Sequence, residues 1–135
     1  MIVAFTYRII KASEKMKVLI VDADESMRNL LSKFLAREGF DVYVASSKKE
    51  ANESFLKNKY DVVIVDENIY NRDQCGIKHF LSDVMPNAKV IYIAPFYALS
   101  EDIDFEDERI VRCGNKLFRI SELKKLISEI KKSTT

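Results

Sequence analysis

At 135 residues the chain has the size of one domain, long enough to bury about two-thirds of its unfolded surface. Lys and Arg total 22 against 21 Asp and Glu, a formal net charge of +1, so bulk charge points to neither a nucleic-acid nor a membrane partner. No apolar run approaches the roughly 20 residues that span a bilayer. The two cysteines, Cys75 and Cys113, make neither a zinc motif nor a disulfide framework, and read as reduced thiols they suggest the cytoplasm.

Residues 1–15 read as an N-terminal extension. Ile2, Val3, Phe5, Tyr7, Ile9 and Ile10 are too apolar to stand in water and should pack on the domain or on a partner. No basic stretch precedes them and no small-residue cleavage site follows, so they do not read as a signal peptide. The domain proper is expected over 16–132, with 133–135 as a tail.

Val18-Leu19-Ile20-Val21 is a compact apolar run ending in Asp22, the pattern of a buried strand. Met27, Leu30, Leu31, Phe34 and Leu35 recur at helical spacing, and Gly39 stops that helix. Val42-Tyr43-Val44 is a second strand. Ser47-Lys48-Lys49-Glu50 has the form of a capping box and opens a helix running to Asn58. Val62-Val63-Ile64-Val65 is a third strand, ending in Asp66. Ile77, Phe80, Leu81 and Val84 mark another helix, closed by Pro86-Asn87. Val90-Ile91-Tyr92-Ile93 is a fourth strand and Arg109 to Cys113 a weaker fifth. Between them, residues 96–108 should hold a fourth helix, short or irregular, because Glu101 to Glu108 is mostly acidic. Leu123, Leu126, Ile127 and Ile130 stripe a final helix.

Strands and helices that alternate, with strands apolar throughout, imply an α/β fold whose parallel sheet is covered on both faces. Ligands of such sheets bind beyond the carboxyl ends of the strands, which directs attention to Asp22, Asp66, Ala94 and the segment after Cys113. Two aspartates ending adjacent strands would bring like charges together, a costly arrangement unless a cation or a proton intervenes. Mg²⁺ suits such a pair, being a hard ion that takes oxygen ligands. A single strand-end aspartate is commonly only a turn former or cap, and Asp24 fits a cap on the first helix. Two after such similar strands favour a site.

At these residues the chain resembles the receiver domain of two-component response regulators. Lys17-Val-Leu-Ile-Val-Asp22-Ala-Asp-Glu-Ser-Met-Arg28 looks like that family's opening strand, acidic cluster and first helix. Tyr60-Asp-Val-Val-Ile-Val-Asp66 looks like the strand that carries the phosphoacceptor, and Asn115-Lys116-Leu-Phe118 like its Lys-Pro-Phe turn with Leu117 in place of proline. The resemblance implies a flavodoxin-like, doubly wound sheet of five parallel strands in the order 2-1-3-4-5. It makes Asp66 the phosphoacceptor and Asp22 a metal-site acid. Asn68 would lend its backbone carbonyl to Mg²⁺, and Lys116 would pair with the phosphoryl group. The implied function is signalling in a phosphorelay, not catalysis. A histidine kinase or phosphotransfer protein would be the donor, and another protein the downstream target.

The chain departs from the family at several places. Ala23 stands where a second acid is usual, and Asp24 is the residue that could replace it if the segment stays extended. Ala94 stands at the switch hydroxyl and Cys113 at its aromatic partner. The loop after Asp66 has Tyr70 for a proline and a late glycine, Gly76. These losses raise a second reading within the family, a pseudo-receiver that acts by protein contact without phosphate. A third reading comes from another class: Asp22-Ala-Asp24 also resembles the first motif of haloacid-dehalogenase-type phosphatases, with Asp22 as nucleophile and Asp24 as acid/base. Against it, Gly114-Asn115-Lys116 stands where those enzymes place further acids. The lone His79 reads as an inert surface residue. With no output segment after Thr135, a stand-alone role is expected, and acidic residues 101–108 beside Arg109, Arg112, Lys124 and Lys125 suggest a homodimer face within 96–130.

Overall fold

The computed structural model describes residues 15–66, 69, 88–94, 110–115 and 120–133. Strand β1 spans Lys17–Val21, helix α1 Glu25–Arg37, β2 Asp41–Ala45, α2 Lys48–Lys57 and β3 Val62–Asp66. Strand β4 spans Lys89–Ala94, β5 Ile110–Asn115 and α3 Ile120–Ser133. The expected helices over 77–84 and 96–108 lie outside the described residues, as do residues 1–14 of the N-terminal extension. Two boundaries need correction. The fifth strand runs past Cys113 to Asn115, and the last helix reaches Ser133, into the expected tail.

The strands form a parallel sheet in the order β2-β1-β3-β4-β5. Alternate side chains along β1 explain its two faces. Leu19 and Val21 join Val63, Val65, Ala51 and Phe55 of α2 on one side. Val18 and Ile20 join Val62, Ile64, Leu31 and Leu35 of α1, and Leu123 and Ile127 of α3, on the other. A strand buried on both faces cannot alternate with polar residues, which is why β1 and β3 read as unbroken apolar runs. Leu19, Ile20 and Ile64 are almost wholly buried, and each such side chain stabilises the fold by about 1.5–3 kcal/mol.

Local chemistry sets the helix ends. The Asp24 carboxylate caps α1 by accepting from the backbone N–H of Ser26 at 2.9 Å and of Met27 at 3.4 Å. At the other end Gly39 takes φ +92, its N–H donates to the Ala36 carbonyl, and the Phe40 N–H donates to that of Leu35. This is a Schellman turn, and it delivers Phe40 into the core beside Leu35. The α3 residue Lys131 donates to the Glu38 carbonyl at 2.6 Å and lies over the Phe40 ring, fastening the last helix to that turn. Helix α2 starts as the capping motif requires, with the Ser47 hydroxyl accepting from the Glu50 N–H at 3.1 Å. The reciprocal bond goes one residue further back: the Glu50 carboxylate accepts from the N–H and the hydroxyl of Ser46. Those bonds, that to the Ser46 N–H foremost, hold its carboxyl below the ordinary 4.5. Among the described residues no helix is long and apolar enough to cross a membrane.

Candidate functional site

Strand register brings the two acids together. Val21 of β1 pairs with Val65 of β3, so Asp22 and Asp66 follow at the same level of adjacent parallel strands. Strands in such a sheet lie about 4.8 Å apart. By alternation from Val18 and Ile20, and from Val62 and Ile64, both carboxylates fall on the α1 and α3 side. They are the buried polar residues of the described core, Asp22 1% and Asp66 2% exposed. Their placement follows from sequence alone: four apolar residues, then an aspartate, twice.

The segment after β1 is tightly tied. The Asp22 N–H continues the β1–β2 pairing by donating to the Ala45 carbonyl at 3.0 Å. Its Oδ1 accepts from the Asp24 N–H at 2.8 Å, which turns the chain into α1. Its carbonyl oxygen accepts from Nη1 of Arg28 at 2.7 Å. The half-buried Arg28 was not singled out by sequence reasoning, although its position carried a signal. A cation in the first turn of a helix opposes the positive end of the helix dipole, so an arginine there invites a search for its anion.

The sequence left Asp24 two readings, a replacement acid if the segment stays extended or a cap if it starts the helix. The structure makes it the helix cap, exposed, with Oδ1 given to two backbone N–H groups. Ala23 beside it is exposed as well. Asn68 and Lys116 lie outside the described residues. Ala94 closes β4 opposite Asn115, and Cys113 pairs with Ile93 ahead of an irregularity in the register.

The donor chemistry suits a hard cation only in part. Two carboxylates on neighbouring strands would welcome a divalent ion, since it offsets their mutual repulsion. Among the described residues, however, no group of three or more His, Cys, Asp or Glu side chains is placed to hold one. Asp22 and Asp66 would supply two carboxylates to such an ion.

The chain matches the family model of the response regulator receiver domain over residues 18–128. It belongs to that family. The receiver assignment brings with it the flavodoxin-like fold and a place in two-component signalling. It also displaces the haloacid-dehalogenase-type reading, in which the capping residue Asp24 would have been an acid/base.

Among curated relatives, the transcriptional regulatory protein SrrA of Staphylococcus aureus is 38% identical over 50 residues, which is 37% of this chain and 21% of SrrA. The match thus spans about a fifth of that relative. A two-component response regulator from Clostridium difficile superimposes with TM-score 0.75 at 18% identity, covering 90% of this chain and 99% of its own. A response regulator from Burkholderia pseudomallei, solved with a phosphorylated aspartic acid, calcium ion and citrate, gives TM-score 0.63 at 19% identity, covering 90% and 74%. At such identities the structural likeness speaks for the fold.

Proposed function

We propose that this receiver accepts a phosphoryl group on Asp66 from a phosphohistidine of a kinase or phosphotransfer partner, and signals by protein contact. The observation that carries the reading is the in-register, buried pair Asp22 and Asp66 at the carboxyl ends of β1 and β3. Phosphoryl transfer to a carboxylate needs an in-line nucleophile and cations on the transferred oxygens. Asp66 is the nucleophile. Asp22 and Asp66 would hold Mg²⁺, and the family resemblance assigns a backbone carbonyl to the metal at Asn68 and a phosphoryl-pairing cation at Lys116. When bound, the ion supplies positive charge to those oxygens. The phosphorylated aspartic acid of the Burkholderia relative is consistent with this chemistry.

With Asp24 serving as the helix cap, a metal would be held by fewer acids than in a complete receiver and would bind weakly. The downstream contact uses the last helix, where Lys124 and Lys125 stand exposed opposite the buried Leu123, Ile127 and Ile130. Those lysines would suit an acidic partner, such as the acidic sequence 101–108 of a second copy.

Intact mass after incubation with acetyl phosphate and Mg²⁺ tests the proposal. The wild type should gain the mass of one phosphoryl group and Asp66→Asn should not. An adduct that persists in Asp66→Asn would overturn the assignment. A wild type that never gains mass, with acetyl phosphate or a kinase, would favour the phosphate-independent pseudo-receiver. The exposed Ala23 and the capping role of Asp24 are the observations on that side.

A further inference from the structure

One cation is fixed by hydrogen bonding beside the buried Asp22. Arg28 leaves the first turn of α1 and places Nη1 2.7 Å from the carbonyl oxygen of Asp22, a residue whose carboxylate lies only a few ångströms from that oxygen. The side chain is half-buried, which lessens solvent screening of its charge. Its other donors remain on the same planar group, so the whole cation is held at the rim where β1 ends. Its charge also adds a smaller lowering influence on the carboxyl of Glu50, in the first turn of α2.

The backbone around it is fixed. The Arg28 N–H donates to the Asp24 carbonyl at 3.0 Å within the helix, while Asp24 caps the helix and donates to Asp22 Oδ1. Asp22, Asp24 and Arg28 therefore form one closed circuit of hydrogen bonds, and moving Arg28 would move Asp22. A guanidinium bonded to a neutral carbonyl gains less than one facing a carboxylate, and at a helix N-terminus it meets an adverse dipole. Negative charge nearby must offset that cost: Arg28 bonds the carbonyl of the buried Asp22, and its charge also reaches Glu50.

We propose that Arg28 is a resident counter-ion of the Asp22–Asp66 pocket, supplying part of the positive charge that a divalent cation would otherwise bring. Arg28 is a positioning residue acting on the site through Asp22. The part concerning Mg²⁺ rests on the proposed receiver chemistry. The part concerning Asp22 does not.

Three variants separate charge from hydrogen bonding. Arg28→Gln keeps an N–H donor and loses the charge, Arg28→Lys keeps the charge, and Asp22→Asn removes the acid. In EDTA, Arg28→Gln should lower the Tm of the wild type but have much less effect in an Asp22→Asn background. By calorimetric titration with MgCl₂, Arg28→Gln should bind Mg²⁺ about tenfold more tightly than the wild type, with Arg28→Lys near the wild type. An equal Tm loss in both backgrounds would overturn the proposal, as would Mg²⁺ affinity that is unchanged or weaker in Arg28→Gln. If neither protein binds Mg²⁺, the metal reading of the pocket fails by itself, and the Tm comparison in EDTA still decides whether Arg28 is the counter-ion of Asp22. Absence of a phosphoryl adduct leaves both measurements intact.

Discussion

Asp24 is where three readings of the sequence meet: helix cap, metal ligand, and acid/base of a phosphatase. They are separable by two substitutions. Asp24→Ala deletes the acceptor of the Ser26 and Met27 N–H groups, a loss worth about 1 kcal/mol in the usual range of 0.5–2. It also removes an anion from the positive end of the α1 dipole, worth roughly 0.3–1 kcal/mol at an exposed site. Together these give about 1–3 kcal/mol, and for a chain of 135 residues each kcal/mol moves Tm by about 3–4 °C. Asp24→Asn keeps the cap and loses only the dipole part, so it should cost about 0.5 kcal/mol. Urea unfolding with a constant slope would report the stability, and titration with MgCl₂ in parallel would report the metal. Asp24→Asn should leave Mg²⁺ affinity within twofold of the wild type. A loss of ten times or more in that variant, with stability nearly intact, would refute the capping assignment and restore Asp24 as a ligand.

Three further outcomes follow from the same geometry. Ala23 is exposed beside the pocket, so Ala23→Asp should fold and bind Mg²⁺ about tenfold more tightly, roughly 1.4 kcal/mol, as measured by calorimetry. Gly39 has φ +92 and open space where a Cβ would go, so Gly39→Ala should lose about 1–2 kcal/mol in urea unfolding from backbone strain alone. The Glu50 carboxyl is held below its ordinary 4.5, chiefly by accepting the Ser46 N–H. Its contribution is therefore fully present above that value and lost as pH falls through the lowered one. A urea midpoint followed from about pH 6 down to pH 3 should fall less steeply in Glu50→Gln than in the wild type.

What was legible in the sequence was whatever local pattern and burial decide together. The apolar runs before Asp22 and Asp66 are long enough to be strands and too short to be helices. Their lack of alternation tells of a sheet covered twice. Gly39 and the Ser47–Glu50 pair announced real helix ends because their conformations and hydrogen bonds need only neighbours in the chain. Strand β5 was read short, since Gly114 and Asn115 weaken its apolar pattern while the β4 pairing carries the strand on to Asn115. Asp24 was ambiguous because spacing says nothing about where the chain turns. One bond, from its N–H to Asp22 Oδ1, decides that the helix begins there. Arg28 was illegible as a site residue, because its contact joins a side chain to a backbone oxygen six residues earlier.

On the proposed reading, Ala23, the Asp24 cap and Arg28 act on the Asp22–Asp66 pair in the same direction. A missing acid lowers the negative charge available to a divalent ion, and the cap keeps the nearest spare carboxylate occupied. An arginine bonded to the Asp22 carbonyl would then bring positive charge that competes with the ion. On the proposed reading, this receiver has moved part of its charge balance from a metal that comes and goes to a side chain that stays. Two states differ less in energy when the cation is permanent, because the charge met by an incoming phosphoryl group is already in place. The cost falls on metal dependence: activation by Mg²⁺ should be shallower here than in receivers with a full acidic cluster. That ordering links Ala23→Asp and Arg28→Gln, which act from opposite sides of the same residue. Their effects on Mg²⁺ affinity should both be favourable. Because both act on one bound ion through Asp22, the double variant should depart from simple addition.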